Sequence, residues 1–171
     1  GGHVVFHQGG VSFGAERLAR AEEKLDSVVL ISPYVAMRPV TEVSAARQDA
    51  AEKVALSKPS DVARACDLLL LTVPDDMLPN VVQMLANSGA LREGQFVAHT
   101  SGRHGLAVLA PAADVGARPI ALHPAMTFTG TSLDLERLSG CVFGLTAGPA
   151  ERDVAAGLVT DLGGTINWVP E

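Results

Sequence analysis

The sequence predicts an α/β fold, a doubly wound and mostly parallel sheet flanked by helices. Three observations lead there. Short apolar runs closed by Pro, Gly or Ser recur along the chain, as buried strands feeding loops do. Segments with helical spacing lie between them, and strands alternating with helices pack as a parallel sheet. Apolar residues make up 47% of the chain but aromatics only 4%, so Ala, Val and Leu must fill the core. At 171 residues the expectation is one domain, long enough to bury that core.

The elements follow in order. His3–Gln8 is a short apolar strand, Gly9–Gly14 a glycine-rich turn, and Ala15–Leu25 a helix rich in Ala, Glu, Arg and Lys. Asp26–Ser32 is the next strand. Thr41–Lys53 opens on an N-cap signature and continues as an Ala-rich helix. Val54–Ser57 reads as a weak strand and Ser60–Cys66 as one or two helical turns capped by Ser60. Asp67–Val73 is apolar throughout, the pattern of a strand buried on both faces. Met77, Val81, Val82 and Leu85 share one helical face, so Met77–Ala86 is a helix. Asn87–Gly94 is a loop and Gln95–Gly102 a strand with its exit. Gly105–Val115 is a helix that must end, kink or restart at Pro111. Arg118–Met126 is a strand, Leu133–Leu138 a short helix, Cys141–Thr146 a strand, Ala150–Leu162 a helix and Thr165–Val169 a last strand.

Strand, glycine-rich turn, helix, strand is the opening unit of a Rossmann-like, dinucleotide-binding fold. Glycines there let the backbone approach a pyrophosphate seated on the helix N-terminus. Gly9, Gly10, Val11 and Ser12 are the candidate residues. A full G-x-G-x-x-G would fall on His7 to Ser12, and only its middle glycine is present. The position that commonly carries an acidic residue for the ribose of NAD holds Ser32, with Arg38 close behind. That favours NADP as cofactor, with NAD the second candidate.

In a parallel sheet the loops at the carboxyl ends of the strands emerge on one edge, where ligands bind. Three of those loops carry Val73, Pro74, Asp75 and Asp76, then Thr100 and Ser101, then His123. Val73, Pro74, Asp75 and Thr100 are expected to border the cofactor. His123 is the candidate catalytic acid, because imidazole gives and takes a proton near neutrality, and Ser101 the candidate partner hydroxyl. His99 reads as a hydrogen-bonded core residue and His104 as a surface residue.

Other chemistries fit less well. A net charge of −6 without any Lys/Arg run argues against nucleic acid. No apolar stretch approaches the roughly 20 residues that span a bilayer, and no signal peptide opens the chain, so a cytoplasmic location is expected. Cys66 and Cys141 lack metal-ligand spacing and read as buried thiols. His99, His104 and His123 lack carboxylate or thiolate company, so no metal is expected. There is no P-loop motif. Ser101, His123 and Asp75 contain the ingredients of a hydrolase triad, but without the G-x-S-x-G elbow or the chain order of that fold.

Leu68-Leu-Leu-Leu-Thr-Val-Pro-Asp75, Ala98-His-Thr-Ser-Gly102 and Leu122-His-Pro-Ala-Met-Thr-Phe-Thr-Gly130 closely resemble a family of oxidoreductases. These join a Rossmann-like N-terminal domain to a C-terminal helical domain, DUF2520. More distantly the same residues resemble pyrroline-5-carboxylate reductase, prephenate dehydrogenase and the 6-phosphogluconate dehydrogenase-like superfamily. The resemblance is strong from Asp67 to Trp168 and weak before Asp67. It implies an NAD(P)-dependent oxidoreductase acting on a small metabolite, and a homodimer built through the helical domain. It also implies that residues 1–171 are the N-terminal domain alone. The family carries a small residue, Gly and Gly where this chain has His7, Gly9 and Ser12. An alternative alignment makes Gly2-His-Val-Val the second strand, with the nucleotide loop missing. A ligand-sensing or assembly module without redox activity is the other functional reading.

Overall fold

Six strands form one sheet in the computed structural model, which describes residues 6–8, 11–13, 28–31, 59–128 and 133–171. The strands are β3 (Val28–Ile31), β4 (Leu68–Leu71), β5 (Phe96–His99), β6 (Arg118–Pro124), β7 (Val142–Ala147) and β8 (Thr165–Trp168), in that spatial order. β3 to β6 are parallel, β7 runs antiparallel to β6, and β8 is parallel to β7. The mostly parallel, Rossmann-like α/β sheet is therefore as the sequence predicts.

Residue composition explains the layers. All four leucines of β4 are buried, which requires cover on both faces. Because side chains alternate along a strand, Leu68 and Leu70 face one layer and Leu69 and Leu71 the other. The first core joins Leu68, Leu70, Ala98, Ile120 and Phe143 to α4 (Leu133–Leu138) and α5 (Arg152–Asp161). The second joins Leu69, Leu71 and Val97 to α1 (Pro59–Arg64), α2 (Leu78–Asn87) and α3 (Ala110–Asp114). Each buried leucine contributes roughly 1.5–3 kcal/mol by area, so β4 anchors both layers.

Local differences from expectation have local causes. α1 starts at Pro59, a residue whose fixed φ suits the first helical position; Ser60 thus lies inside the helix and does not cap it. The segment after β5 is a 3-10 turn, Leu106–Leu109, followed by α3 with Pro111 in its first turn. The helix restarts at the proline, where the missing N–H costs no intrahelical bond.

The larger correction concerns the N-terminal residues. β1 (Phe6–Gln8) does not join the parallel sheet; it pairs antiparallel with β2 (Val11–Phe13) in a separate two-stranded sheet. Gln8 stands opposite Val11, so Val11 and Ser12 lie in a strand and not in a turn entering a helix. The intervening sequence is Gly-Gly, a dipeptide favoured in two-residue hairpin connections. The sheet neighbour of β4 on that side is β3, not β1. The expected helices at 15–25 and 41–53 and the strand at 54–57 lie outside the described residues.

Candidate functional site

The carboxyl ends of β4, β5 and β6 lie side by side, with Leu71 paired to His99 and His99 to Ala121. Each strand hands its next residues to the same edge. After β4 come buried Thr72 and half-buried Val73, Pro74 and Asp75. The Pro74 carbonyl accepts from the N–H of Met77 (2.9 Å) and Leu78 (3.1 Å), turning the chain into α2. Asp76 is exposed, and α2 begins without a side-chain cap.

The loop after β5 is organised around His99, which is fully buried. The Ser101 N–H donates to His99 Nδ1 at 3.2 Å. Nδ1 is therefore an acceptor, so the ring carries its hydrogen on Nε2 and donates it to the Gly105 carbonyl at 3.0 Å. Burial holds the imidazole below its ordinary value of 6.5, against the opposing pull of the Gly105 hydrogen bond. The ring is a neutral staple between the two ends of the loop. Ser101 Oγ accepts from the N–H of Arg103 (3.1 Å) and His104 (3.3 Å). No acceptor for its hydroxyl hydrogen stands among the described residues.

His123, near the end of β6, is half-buried. The short range to the Thr100 carbonyl, 3.3 Å from Nδ1, makes Nδ1 the protonated nitrogen. Nε2 of the neutral ring then offers a lone pair with no partner among the described residues. The ring lies directly on Gly102, where a Cβ would come within 2.5 Å of Cε1 and 2.7 Å of Nε2. Only glycine leaves room for the imidazole there. Thr100 is buried; its N–H donates to the Leu71 carbonyl at 3.3 Å, and so ties the β5 exit to β4.

His104 is the residue that sequence reasoning placed wrongly. It is half-buried, and its Nε2–H donates to the Asp75 carbonyl at 3.0 Å, bridging the loops after β4 and β5. Its position five residues beyond a strand gave no periodic signal. Glu171 was also missed. Its carboxylate accepts from the N–H of Leu106 (2.8 Å) and Ala107 (3.0 Å), satisfying donors at the start of the 3-10 turn.

The structure thus brings together Val73, Pro74, Asp75, Thr100, Ser101 and His123 at one edge. It does not bring Val11 and Ser12 there in a turn. Gly9, Gly10, Ser32 and Arg38 lie outside the described residues. Among the described residues no three His, Cys, Asp or Glu side chains gather as a metal site, and no helix is long and apolar enough to cross a membrane.

No curated protein matches the sequence, whereas solved structures do. Prephenate dehydrogenase from A. aeolicus, solved with hydroxyphenyl propionate and NAD+, shares 16% identity at a TM-score of 0.62, covering 98% of this chain and 59% of its own. Mycobacterium tuberculosis 3-hydroxyisobutyrate dehydrogenase, solved with L-serine, shares 10% at 0.61, covering 98% and 53%. Plasmodium falciparum pyrroline carboxylate reductase, solved with NADP bound, shares 13% at 0.51, covering 91% and 52%. The chain spans little more than half the length of these three proteins, and at such identities the likeness is one of fold. Residues 2–124 match the Rossmann-like domain family. With that match covering most of the chain, and a mostly parallel sheet beneath it, this protein belongs to the Rossmann-like domain family.

Proposed function

We propose that this chain is the NAD(P)-binding domain of an oxidoreductase that moves a hydride between the cofactor and a small metabolite. The observation that carries the reading is His123, with its free Nε2 lone pair on the edge where the loops after β4 and β5 also end. The apolar Val73 and Pro74, beside the Asp75 backbone and the Thr100 hydroxyl, suit the ribose and nicotinamide end of the cofactor, a mostly apolar surface with few polar groups. The glycines at 9 and 10, with Ser32 and Arg38, are proposed for the pyrophosphate and the 2′-phosphate, which favours NADP over NAD.

The bound cofactor supplies the hydride chemistry. The chain's own residues position the substrate and handle its proton. In reduction, the hydride would add to the carbon of a C=O or C=N bond, and protonated His123 donates from Nε2 to the oxygen or nitrogen that takes up the π pair; in oxidation, Nε2 accepts that proton. The Thr100 carbonyl holds Nδ1–H and so keeps Nε2 facing the site. The Ser101 hydroxyl hydrogen orients a substrate acceptor such as a carboxylate oxygen. The relatives solved with metabolite-sized ligands support a small-molecule substrate; a further domain that completes the pocket, and a homodimer, belong to the proposal.

The test is titration with NADPH and NADH, followed by nucleotide fluorescence and by melting. A ligand held only by the folded state at 100 times its dissociation constant stabilises by about 2.7 kcal/mol. Saturable binding, tighter for NADPH, is the expected result; no binding of either nucleotide by a cooperatively melting protein overturns the reading. One observation favours a second reading, a sensing or assembly module without redox activity. Val11 and Ser12 lie in β2, where ladder pairing competes with wrapping a phosphate.

A further inference from the structure

We infer that His99, buried and outside the proposed chemistry, is the positioning residue of this site, and that it works only as the neutral Nε2–H tautomer. This rests on the proposed function, since it concerns the same loops. The loop from Thr100 to Gly105 carries three elements of the site: the Thr100 carbonyl that orients His123, the Gly102 surface beneath its ring, and the His104 bridge to Asp75. His99 holds both ends of that loop. It accepts from Ser101 N–H at one end and donates to the Gly105 carbonyl at the other.

The two hydrogen bonds coexist in only one state of the ring. The other tautomer would set Nδ1–H against the Ser101 N–H and leave Nε2, an acceptor, facing the Gly105 carbonyl. Protonation keeps the Gly105 bond but opposes two donors at Ser101, inside a fully buried space where an unpartnered donor is costly. Among the described residues the titratable groups around the ring are His104 of the same loop, Asp75 of the β4 loop and Glu171 beyond β8. His104 opposes a charge on the ring, and the two carboxylates favour one. Ser101 Oγ reinforces the staple from within the loop by holding Arg103 and His104 N–H. The consequence is that the geometry beneath His123 is set by a residue that never touches a ligand.

The experiment combines imidazole nitrogen NMR of the full chain with NADPH titrations of His99→Ala, His99→Asn and His99→Gln. At pH 7 the expected spectrum shows an unprotonated Nδ1 and a protonated Nε2 for His99, unchanged at pH values where an exposed histidine has become charged. The alanine variant is expected to bind NADPH at least tenfold more weakly and to expose the amides of residues 101–105 to exchange. The asparagine variant, which still offers an acceptor at the Nδ1 position, recovers part of both; glutamine, which restores only the donor to Gly105, recovers less. A residue that merely fills the core would give losses that track melting temperature, without rank by hydrogen-bonding capacity. A charged or Nδ1–H ring at pH 7, or unaltered loop exchange in His99→Ala, overturns the inference. If the wild type binds no nucleotide, the proposed function fails, and the tautomer and exchange results still decide the role of His99. Should the variants not fold, the wild-type nitrogen spectrum decides it alone.

Discussion

The two edges of the sheet use similar residues to opposite ends. At the edge where β5 and β6 begin, polar side chains are consumed by the protein itself. Gln95 donates to the carbonyls of Ala63 (2.6 Å) and Cys66 (2.8 Å), and Arg92 donates to the Cys66 carbonyl (2.7 Å) and pairs with Asp67. Arg118 pairs with Glu151 (2.9 Å), donates to the Ala150 carbonyl (2.7 Å) and lies 4.4 Å over the Phe96 ring. At the opposite edge His99 is likewise consumed, but His123 Nε2 and the Ser101 hydroxyl hydrogen have no partner among the described residues. Buried polar groups are normally paired, so leftover capacity beside a half-buried imidazole points to a ligand. One edge closes the fold; the other is the one proposed for chemistry.

The sharpest way to break that contrast is His123→Gln. On the proposed function, loss of a general acid lowers turnover by about 10²–10⁴-fold, the largest effect expected from any single change here. A half-buried ring with one hydrogen bond matters little for stability, so melting should move by less than about 1 kcal/mol. Turnover with the protein's physiological substrate is the measurement. An active His123→Gln enzyme would remove the acid role; a variant that unfolds would place His123 with the structural residues.

The mirror-image change is Gln95→Leu. It strips the Ala63 carbonyl of a buried partner, while Arg92 still serves the Cys66 carbonyl. An orphaned buried group costs roughly 1–3 kcal/mol, to be read as a lower urea midpoint at unchanged slope. NADPH affinity should stay as in the wild type. Weaker binding at full stability would show that the two edges are coupled, and the contrast would lose its meaning.

How much of this was legible follows from the same contrast. Leu68–Leu71 announced a strand buried on both sides, because four consecutive leucines have no polar face to show water. Helix α2 followed from the spacing of Val81, Val82 and Leu85, and the break at Pro111 from its missing N–H. His123 could be placed at the carboxyl edge of the sheet because Pro124 and the apolar run before it marked where the strand ends. His104 could not, since its role depends on a carbonyl 29 residues away and no periodicity encodes such a contact. The antiparallel direction of β7 was equally silent, as strand composition does not encode direction. At Gly9 and Gly10 one glycine-rich stretch suits both a phosphate turn and a hairpin connection, and composition alone does not tell that Phe6–Gln8 pairs with Val11–Phe13.

The smallest effect concerns Cys66, which tests whether the structural edge is closed. Its thiol lies beside the Gln95 side-chain nitrogen (3.6 Å) and the Ala63 carbonyl (3.6 Å). Burial pushes it from 9.0 up to about 11, with the Gln95 hydrogen bond acting the other way. The folded chain therefore holds this proton where the unfolded chain has released it. Stability from the neutral thiol is complete below pH 9 and is lost as pH rises from 9 towards about 11. Wild type should thus lose more melting temperature across that window than Cys66→Ala, which has no thiol to titrate. At pH 8 the native thiol is protonated and out of reach, so iodoacetamide should label it only through opening of the structure. Labelling at the rate of a free thiol, without unfolding, would mean that this edge is as open as the one bearing His123.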